Sequence, residues 1–401
     1  MNEAVLVPSA NGWHRHPPLG LGEAPFAAPP PERLTAHERL TFYPCRADAR
    51  EHEIATQRGV ARRLAALMGC DFADGTAEGA TGSLGYVVPN ETLMSLDAAR
   101  RLGIRGEDDL FGGVVPAPFV ATKVITHGLW RPDAAAPAGW SPDFGERVRG
   151  SVLPGWSVFS LEDARAAGLA LLQDGEVRVK PARGIGGSGQ SVVRDARALE
   201  AALEALDAAE LQRHGLVLER NLAGELQTYS IGLVRLGALQ ACYFGTQFNT
   251  RNRHGQEVYG GSTLTVVRGG FERLEQLARE AGDPHAEQAV ALTRVYHEAA
   301  RECFAGFMAS RANYDVVRGQ DAAGRACAGV LEQSWRIGGA SGAEVAALQA
   351  LLEDPARTSA RASTVEAHGE PAELPSRAVL YYCGVDEHVG PITKYALLHE
   401  D

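Results

Sequence analysis

The chain has 401 residues, and its 50 acidic and 39 basic side chains give a formal net charge of −11. Hydrophobic residues make up 45% and charged residues 22%, which is typical of globular domains and excludes a chain that is disordered or collagen-like throughout. The length predicts two or three domains. The acidic balance argues against a nucleic-acid partner, which needs a basic surface, but it leaves room for a local basic pocket.

Cysteine usage and the N-terminal segment favour a cytoplasmic protein. The six cysteines include no C-x-x-C pair, which argues against a zinc knuckle and for reduced thiols. The first residues lack the basic and apolar regions of a secretory signal, and no apolar run approaches ~18 residues, so we predict no membrane span. Residues 1–40 are rich in Pro, Gly and Ala and are predicted to form a surface arm.

Residues up to 118 alternate between helical and strand patterns, which predicts a small α/β domain. Apolar spacing predicts a helix over 50–68, and an apolar run ended by proline predicts a strand over 85–89. A second helix is predicted over 92–102, with Gly103 as its stop. The Pro-, Gly- and Trp-rich stretch 131–154 is predicted to be an insertion or a mobile loop.

The rest of the chain mixes helices and strands in an α+β pattern. Ser160 is predicted to cap a helix, a single helix is predicted over 198–211, and a long amphipathic helix is predicted over 288–309. Strands are predicted at seven places: 176–180, 190–195, 216–219, 227–234, 240–248, 314–317 and 328–332.

A glycine-rich segment lies between the first two of these strands. Gly184, Gly186 and Gly189 match G-x-G-x-x-G, but a strand follows where a dinucleotide fingerprint needs a helix. No Gly-Lys-Ser/Thr ends the run. The H-R-D motif of protein kinases is absent, and no D-F-G motif follows the glycine loop as it does in a kinase, since the tripeptide Asp143-Phe-Gly145 precedes it. A hairpin loop of this kind can fold over a nucleotide, because backbone N–H groups without a Cβ clash can approach phosphate oxygens. The backbone donors would come from Gly184, Gly186, Gly187, Ser188 and Gly189. The alternative is a flexible glycine turn.

Charged residues on either side extend this interpretation. Lys180 directly precedes the loop and would supply a positive charge for phosphates, the alternative being an exposed lysine at a strand end. Downstream, a strand ends at Glu219, and a short connection leads to Glu225. Backbone groups of this connection could read an adenine edge, and Glu225 could accept hydrogen bonds from ribose hydroxyls. A solvated turn is the alternative for Glu225.

Two acids on the last pair of strands predict a metal site. Asp315 and Glu332 approach each other if their strands pair through the polar turn between them. Two carboxylates and nucleotide phosphates are a typical oxygen shell for Mg²⁺. In the alternative, the acids are neutralised by arginines such as Arg336.

Further cationic and glycine-rich segments predict a substrate site. Arg336 can bind a carboxylate or phosphate, and Gly338, Gly339 and Ser341 lead into a helix whose N-terminus adds backbone donors. Arg251 and Arg253 lie in a polar segment between two strands that could close over an acidic substrate. An ordinary exposed hairpin is equally consistent with that segment.

These elements, in this order, resemble the ATP-grasp superfamily of ATP-dependent carboxylate–amine ligases. The resemblance runs from about Val120 to Gly342 and adds Lys123, in the segment FVATKVITH, to the residues above. It implies an N-terminal α/β domain (1–118), a small lobe with the glycine hairpin (119–225) and a large lobe with the metal and substrate site (226–401), with the nucleotide between the lobes. The expected fold is therefore α/β and α+β, of the ATP-grasp type.

The resemblance also implies residue roles. Lys123 and Lys180 would contact the phosphates of ATP, Glu219 and Glu225 would lie at adenine and ribose, and Asp315 and Glu332 would bind Mg²⁺. Arg336 would stabilise the acyl phosphate or hold the acceptor carboxylate. The family's E-x-N metal motif is here Glu332-Gln-Ser334, so the third metal position would be a serine hydroxyl.

The predicted activity is the joining of a carboxylate to an amine through an acyl phosphate, with ATP and Mg²⁺. The expected partners are small-molecule substrates, and the sequence allows a homodimer. Two alternatives stay open: a nucleotide-binding regulatory or scaffold protein with a degenerate site, and a small-molecule kinase that stops at phosphoryl transfer.

Overall fold

The computed structural model describes residues 34–75, 83–183, 189–369 and 373–400, together with the backbone of two short strands near the N-terminus. These strands, β1 (Val5–Ser9) and β2 (Gly12–His16), pair with each other in antiparallel register. Within the described ranges no helix combines the length and apolar character needed to cross a bilayer.

The first α/β unit is a three-stranded parallel sheet in the order β4-β3-β5. Its elements are β3 (Arg39–Tyr43), α1 (Glu51–Met68), β4 (Asp71–Asp74), β5 (Tyr86–Pro89) and α2 (Leu96–Arg101). The first helix and the strand before Asn90 are confirmed. The second helix is shorter than predicted, because the Ser95 side chain accepts a hydrogen bond from the Ala98 amide and caps the helix there.

The stretch 131–154, predicted to be an insertion or a mobile loop, is folded against its neighbours. It contains α3 (Pro142–Val148), which follows the short strand β6 (Gly113–Val114). The Trp140 ring stacks on Phe119 at 5.6 Å between centroids and meets Phe159 edge-on at 5.5 Å. The mobile-loop alternative was wrong, because these aromatic contacts fix a segment whose composition is typical of loops, whereas the insertion stays a prediction.

The small lobe is an antiparallel sheet in the order β7-β10-β8-β9. Its elements are β7 (Gly155–Val158), α4 (Leu161–Leu171), β8 (Val177–Pro181), β9 (Ser191–Val193), α5 (Ala196–Glu204), α6 (Ala208–His214) and β10 (Leu216–Arg220). Ser160 caps α4 as predicted. The single helix predicted over 198–211 is wrong, since the Asp207 carboxylate accepts the amides of Ala209 and Glu210 and starts a second helix.

The large lobe is built on an eight-stranded antiparallel sheet in the order β16-β15-β11-β12-β13-β17-β19-β18. Its strands are β11 (Ala223–Leu236), β12 (Leu239–Arg251), β13 (Glu257–Arg268), β15 (Arg311–Gln320), β16 (Ala326–Ser334), β17 (Ser359–His368), β18 (Val379–Asp386) and β19 (Gly390–Leu398). The helices are α7 (Phe271–Glu280), α8 (Pro284–Cys303) and α9 (Ser341–Glu353). The helix predicted to reach residue 309 ends at Cys303, because the chain turns there to pair β14 (Met308–Ala309) with β6.

Both faces of this sheet are covered, and this arrangement positions the site. Helices α7 and α8 pack on one face, where Tyr314 belongs to the hydrophobic core. Helices α1 and α9 pack on the other face around Tyr243. Since successive residues of a strand point to opposite faces, Arg311, Asn313 and Asp315 of β15 point to the α9 side.

Candidate functional site

Two acidic residues face each other on β15 and β16, the outermost pair of strands at one side of the large sheet. Asp315 of β15 is the cross-strand partner of Glu332 of β16, as the sequence predicted. Burial, and then the charge of Glu332, raise the pKa of Asp315 to about 7. Neighbouring carboxylates that resist ionisation are relieved by a divalent cation, and carboxylate oxygens are the ligands that Mg²⁺ prefers. The donor set therefore fits Mg²⁺.

A β-bulge lies next to the acid pair. The register runs from Asp315↔Glu332 to Val316↔Val330, which leaves Leu331 as the extra residue of β16. The extra residue of a bulge does not complete the regular ladder. Its carbonyl oxygen lies 3.4 Å from Nζ of Lys180, which comes from β8 of the small lobe. The bulge thus brings the two lobes into contact beside the acids.

Asp315 is held by two amide side chains. Asn313 Nδ2 donates to Asp315 Oδ1 at 3.0 Å, and Gln247 Nε2 donates to the same oxygen at 2.7 Å. Both donors lie on the α9 face of the sheet. They fix the orientation of the carboxylate, and neither contact could be predicted from the local sequence.

Lys123 neutralises Glu332. Its Nζ lies 2.6 Å from Glu332 Oε2, and its side chain is only 2% exposed. It begins the 3₁₀ turn Lys123–Thr126, which packs against β16. The alternative in which Arg336 neutralises the acid pair is wrong, because Arg336 pairs with Glu91 instead.

Lys180 and Glu219 form a buried ion pair in the small lobe. Lys180 Nζ lies 3.0 Å from Glu219 Oε1, and both residues are at most 2% exposed, so Lys180 is not an exposed lysine at a strand end. Nε2 of the buried His127 lies 3.2 Å from Glu219 Oε2. Burial alone would raise the pKa of Glu219, but Lys180 and His127 outweigh it and lower that pKa to about 2. Burial lowers the pKa of His127, which favours the neutral imidazole.

The glycine-loop prediction is only partly covered by the structure. Residues 184–188, which include Gly184, Gly186, Gly187 and Ser188, lie outside the described residues. The flanking strands β8 and β9 pair antiparallel, so the strand–loop–strand order holds. Gly189 adopts φ +73°, a conformation that favours glycine. Glu225 is exposed near the start of β11.

Arg336 lies between the large lobe and the N-terminal unit. Its Nε is 3.2 Å from Oε1 of Glu91, which lies in the loop after β5. Gly338 donates its amide hydrogen to Ser341 Oγ at 3.0 Å, and Ser341 is fully buried. A Cβ at Gly339 would lie 2.8 Å from the Tyr259 ring, so this position needs glycine for close approach. Sequence reasoning missed Glu91, which has no motif around it.

The remaining predicted site residues are not all brought together. Ser334 is the register partner of Asn313, and its carbonyl accepts a hydrogen bond from Arg311 Nη1 at 3.1 Å. Arg251 and Arg253 lie at the exposed β12–β13 hairpin. This hairpin end is about 20 Å along the strand from the level of the acid pair, at ~3.3 Å per residue. In this conformation neither arginine joins the acids.

Across the part of the chain that the structure describes, no group of three or more His, Cys, Asp or Glu side chains is arranged to hold a metal ion. A cation at Asp315 and Glu332 would therefore take its remaining ligands from water or from a bound anion. This is typical of Mg²⁺, which usually keeps several waters and is held by one or two carboxylates together with substrate phosphates.

Comparison with solved structures identifies the fold. Carboxyaminoimidazole ribonucleotide synthase from Aspergillus clavatus, complexed with ATP, matches with a TM-score of 0.51 at 12% identity over 92% of this chain and 94% of that chain. N5-carboxyaminoimidazole synthetase from Staphylococcus aureus, complexed with ADP, matches with a TM-score of 0.49 at 11% identity over 92% and 96%. The fold assignment rests on the first match: the chain has the ATP-grasp fold.

The family is shown by a family model. The model described as "Protein of unknown function (DUF3182)" matches residues 41–396, and the chain belongs to this family. No curated protein sequence matches the chain significantly.

Proposed function

We propose that this protein is an ATP- and Mg²⁺-dependent ligase that activates a carboxylate as an acyl phosphate and joins it to an amine. The observation that carries the proposal is the meeting of two buried lysines with an acid pair at one lobe boundary. Lys180 contacts the Leu331 carbonyl and Lys123 contacts Glu332, directly beside Asp315. Lysines for phosphate and carboxylates for a cation are the groups that phosphoryl transfer from ATP requires.

The nucleotide would lie between the small lobe and β16. Lys180 and Lys123 would bind phosphate oxygens, and residues after Glu219 would face the base. Glu219 itself would act by holding Lys180, because Lys180 and His127 already lie at both of its carboxylate oxygens. Glu225 is exposed at the start of β11, where its carboxylate is accessible to a ribose.

Asp315 and Glu332 would hold Mg²⁺, with Ser334 nearby on β16. When bound, the ion neutralises charge that develops on the transferred phosphoryl group. A carboxylate oxygen of the substrate attacks the γ-phosphorus, and the bond to the bridging β-oxygen breaks to release ADP. The amine nitrogen then attacks the acyl carbon, loses a proton and displaces phosphate. Arg336, beside the glycine segment 338–339, would bind the acyl phosphate or the acceptor carboxylate.

The test is ADP release from the purified protein against a panel of carboxylates and amines, with hydroxylamine added to trap any acyl phosphate. The proposal expects a hydroxamate with one class of carboxylate and an amide when amine is supplied. Lys180→Ala should weaken ATP binding, and Glu332→Ala should abolish turnover while the protein stays folded. ATP binding without turnover or trapped acyl group would support a regulatory protein, and a stable phosphorylated product without amine would support a kinase.

A further inference from the structure

A buried polar network connects the first turn of α9 with Asp315. Arg311 and Glu344 are at most 1% exposed, and Arg311 Nε donates to Glu344 Oε2 at 3.1 Å. The Tyr243 hydroxyl lies 2.7 Å from Glu344 Oε1 and 2.9 Å from Asn313 Oδ1. Asn313 Nδ2 then donates to Asp315 Oδ1 at 3.0 Å. The phenol has a single proton, and when it is donated to Asn313 Oδ1 the Arg311 guanidinium serves both Glu344 Oε1 and, at 3.4 Å, the phenol oxygen. Hydrogen bonds then run without a break from Arg311 through Tyr243 and Asn313 to Asp315.

Stability alone gives a weak reason for this arrangement. A buried ion pair costs so much desolvation that well-packed apolar side chains often stabilise a protein as well or better. Tyr243 belongs to the same hydrophobic core cluster as Leu264 of β13 and Val345 of α9, so apolar side chains at these positions would have compatible surroundings. The purpose of these buried polar groups is therefore sought at Asp315, the residue at which the network ends.

Arg311 also holds the main chain at the end of β16 and just beyond it. Its Nη1 donates to the Ser334 carbonyl at 3.1 Å and to the Arg336 carbonyl. The same guanidinium thus fixes the backbone that carries Ser334 and Arg336 and, by donating from Nη2 to the phenol oxygen at 3.4 Å, the position of Tyr243. One buried arginine is therefore connected both to the backbone of Ser334 and Arg336 and, through Tyr243 and Asn313, to Asp315.

The hydroxyl of Tyr243 sets the orientation of the Asn313 amide. The carbonyl oxygen of Asn313 points to that hydroxyl, and its NH₂ group points to Asp315. The opposite orientation would place the amide oxygen against a carboxylate oxygen, and two acceptors cannot satisfy each other. Without the hydroxyl, Asp315 would depend on Gln247 alone for its fixed orientation.

We propose that Tyr243 and Asn313, anchored by the Arg311–Glu344 pair, are positioning residues that orient Asp315 for a divalent cation. This inference rests on the proposed function, because it assigns a purpose to residues around the proposed cation site. Outer groups that orient metal ligands typically change metal affinity by 10–100-fold when they are removed.

The test compares Tyr243→Phe with Tyr314→Phe. Both changes remove one buried phenol hydroxyl, but Tyr314 contacts His297 and Trp335 on the opposite face of the sheet. Binding of Mn²⁺ in the presence of ATP is measured by calorimetry, together with ATP binding without a divalent cation. We expect Tyr243→Phe to weaken Mn²⁺ binding about 10-fold and to leave metal-free ATP binding within about twofold. Tyr314→Phe should leave both affinities unchanged.

Asn313→Leu provides a second variant, since it removes the amide with little change in size, and it should weaken Mn²⁺ binding in the same way. Thermal unfolding identifies which variants are folded. Wild-type Mn²⁺ affinity in the folded Tyr243→Phe and Asn313→Leu proteins would overturn the inference. A wild-type protein that binds ATP but no Mn²⁺ would overturn the proposed function instead, and the two failures are therefore distinguishable.

Discussion

Asp315 and Glu332 stand directly opposite each other on two antiparallel strands, and the bulge residue Leu331 directly precedes Glu332 on β16. Glu332 is paired with Lys123, whereas Asp315 is bonded to neutral amides. The charge of Glu332 is therefore compensated by Lys123, whereas burial disfavours the ionised form of Asp315. A cation or the phosphates of a nucleotide would change this balance, which makes the pair the central feature of the candidate site.

The first prediction concerns stability without metal. The pKa of Asp315 is raised from 3.8 to about 7, so as pH rises from about 4 to 7 the unfolded state loses this proton before the folded state does. Stability is lost over that window. Asp315→Asn should remove the loss and should be more stable than wild type at pH 8 by roughly 1–2 kcal/mol. Urea unfolding at pH 5 and pH 8 measures the difference. An equal difference between the two proteins at both pH values would contradict the prediction.

The second prediction concerns the Lys180–Glu219 pair. Glu219→Ala leaves a buried ammonium without its carboxylate and should cost about 3–5 kcal/mol in the free energy of unfolding. Glu225→Ala is the control, because Glu225 is exposed and the change should alter stability by less than about 0.5 kcal/mol while it weakens ATP binding. Chemical denaturation and ATP titration measure both effects. A loss of stability in Glu219→Ala no larger than that of the Glu225→Ala control would contradict the prediction.

The third prediction concerns acid stability. The pKa of Glu219 is lowered from 4.5 to about 2, so its stabilising contribution is fully present above about pH 5 and is lost as pH falls toward 2. In Glu219→Gln this acid-dependent loss should be smaller, although the variant should be less stable at neutral pH. The measurement is the free energy of unfolding of wild type and variant between pH 3 and pH 7. A constant difference across that range would argue against the depressed pKa.

The fourth prediction separates activation from binding. Arg336→Met should leave ATP affinity within about twofold but lower turnover by about 100-fold or more, as expected for a group that stabilises developing charge. Arg377→Met is the control, since Arg377 is exposed and pairs only with Glu400 among the described contacts. The yield of trapped hydroxamate reports the effect. Unchanged turnover in Arg336→Met would remove this residue from the site.

Local patterns predicted the parts of this structure that local interactions determine. The strands of Asp315 and Glu332 are joined by a short polar turn, so their pairing followed from alternation and turn composition alone. The ends of α5 and α8 could not be predicted in this way. Asp207 starts a new helix by capping, and the chain after Cys303 turns to pair with the distant β6.

The contacts that complete the site join residues far apart in sequence. His127 is 92 residues from Glu219, and Tyr243 is 101 residues from Glu344. Tyr243 lies in no motif, and His127 ends the segment that contains Lys123 without any sign of its contact with Glu219. Each side chain acquires its role only from the strand or turn that faces it. The side chain of Glu219 is engaged with Lys180. Contact with adenine therefore stays a prediction for the backbone of the connection that follows Glu219.

The most direct test of the account is a crystal structure with a non-hydrolysable ATP analogue and Mn²⁺, in which anomalous scattering locates the metal. We expect the nucleotide between β8, β10 and β16, with Lys180 and Lys123 at its phosphates and the Mn²⁺ peak between Asp315 and Glu332. A nucleotide bound elsewhere, or a Mn²⁺ peak away from both carboxylates, would contradict it.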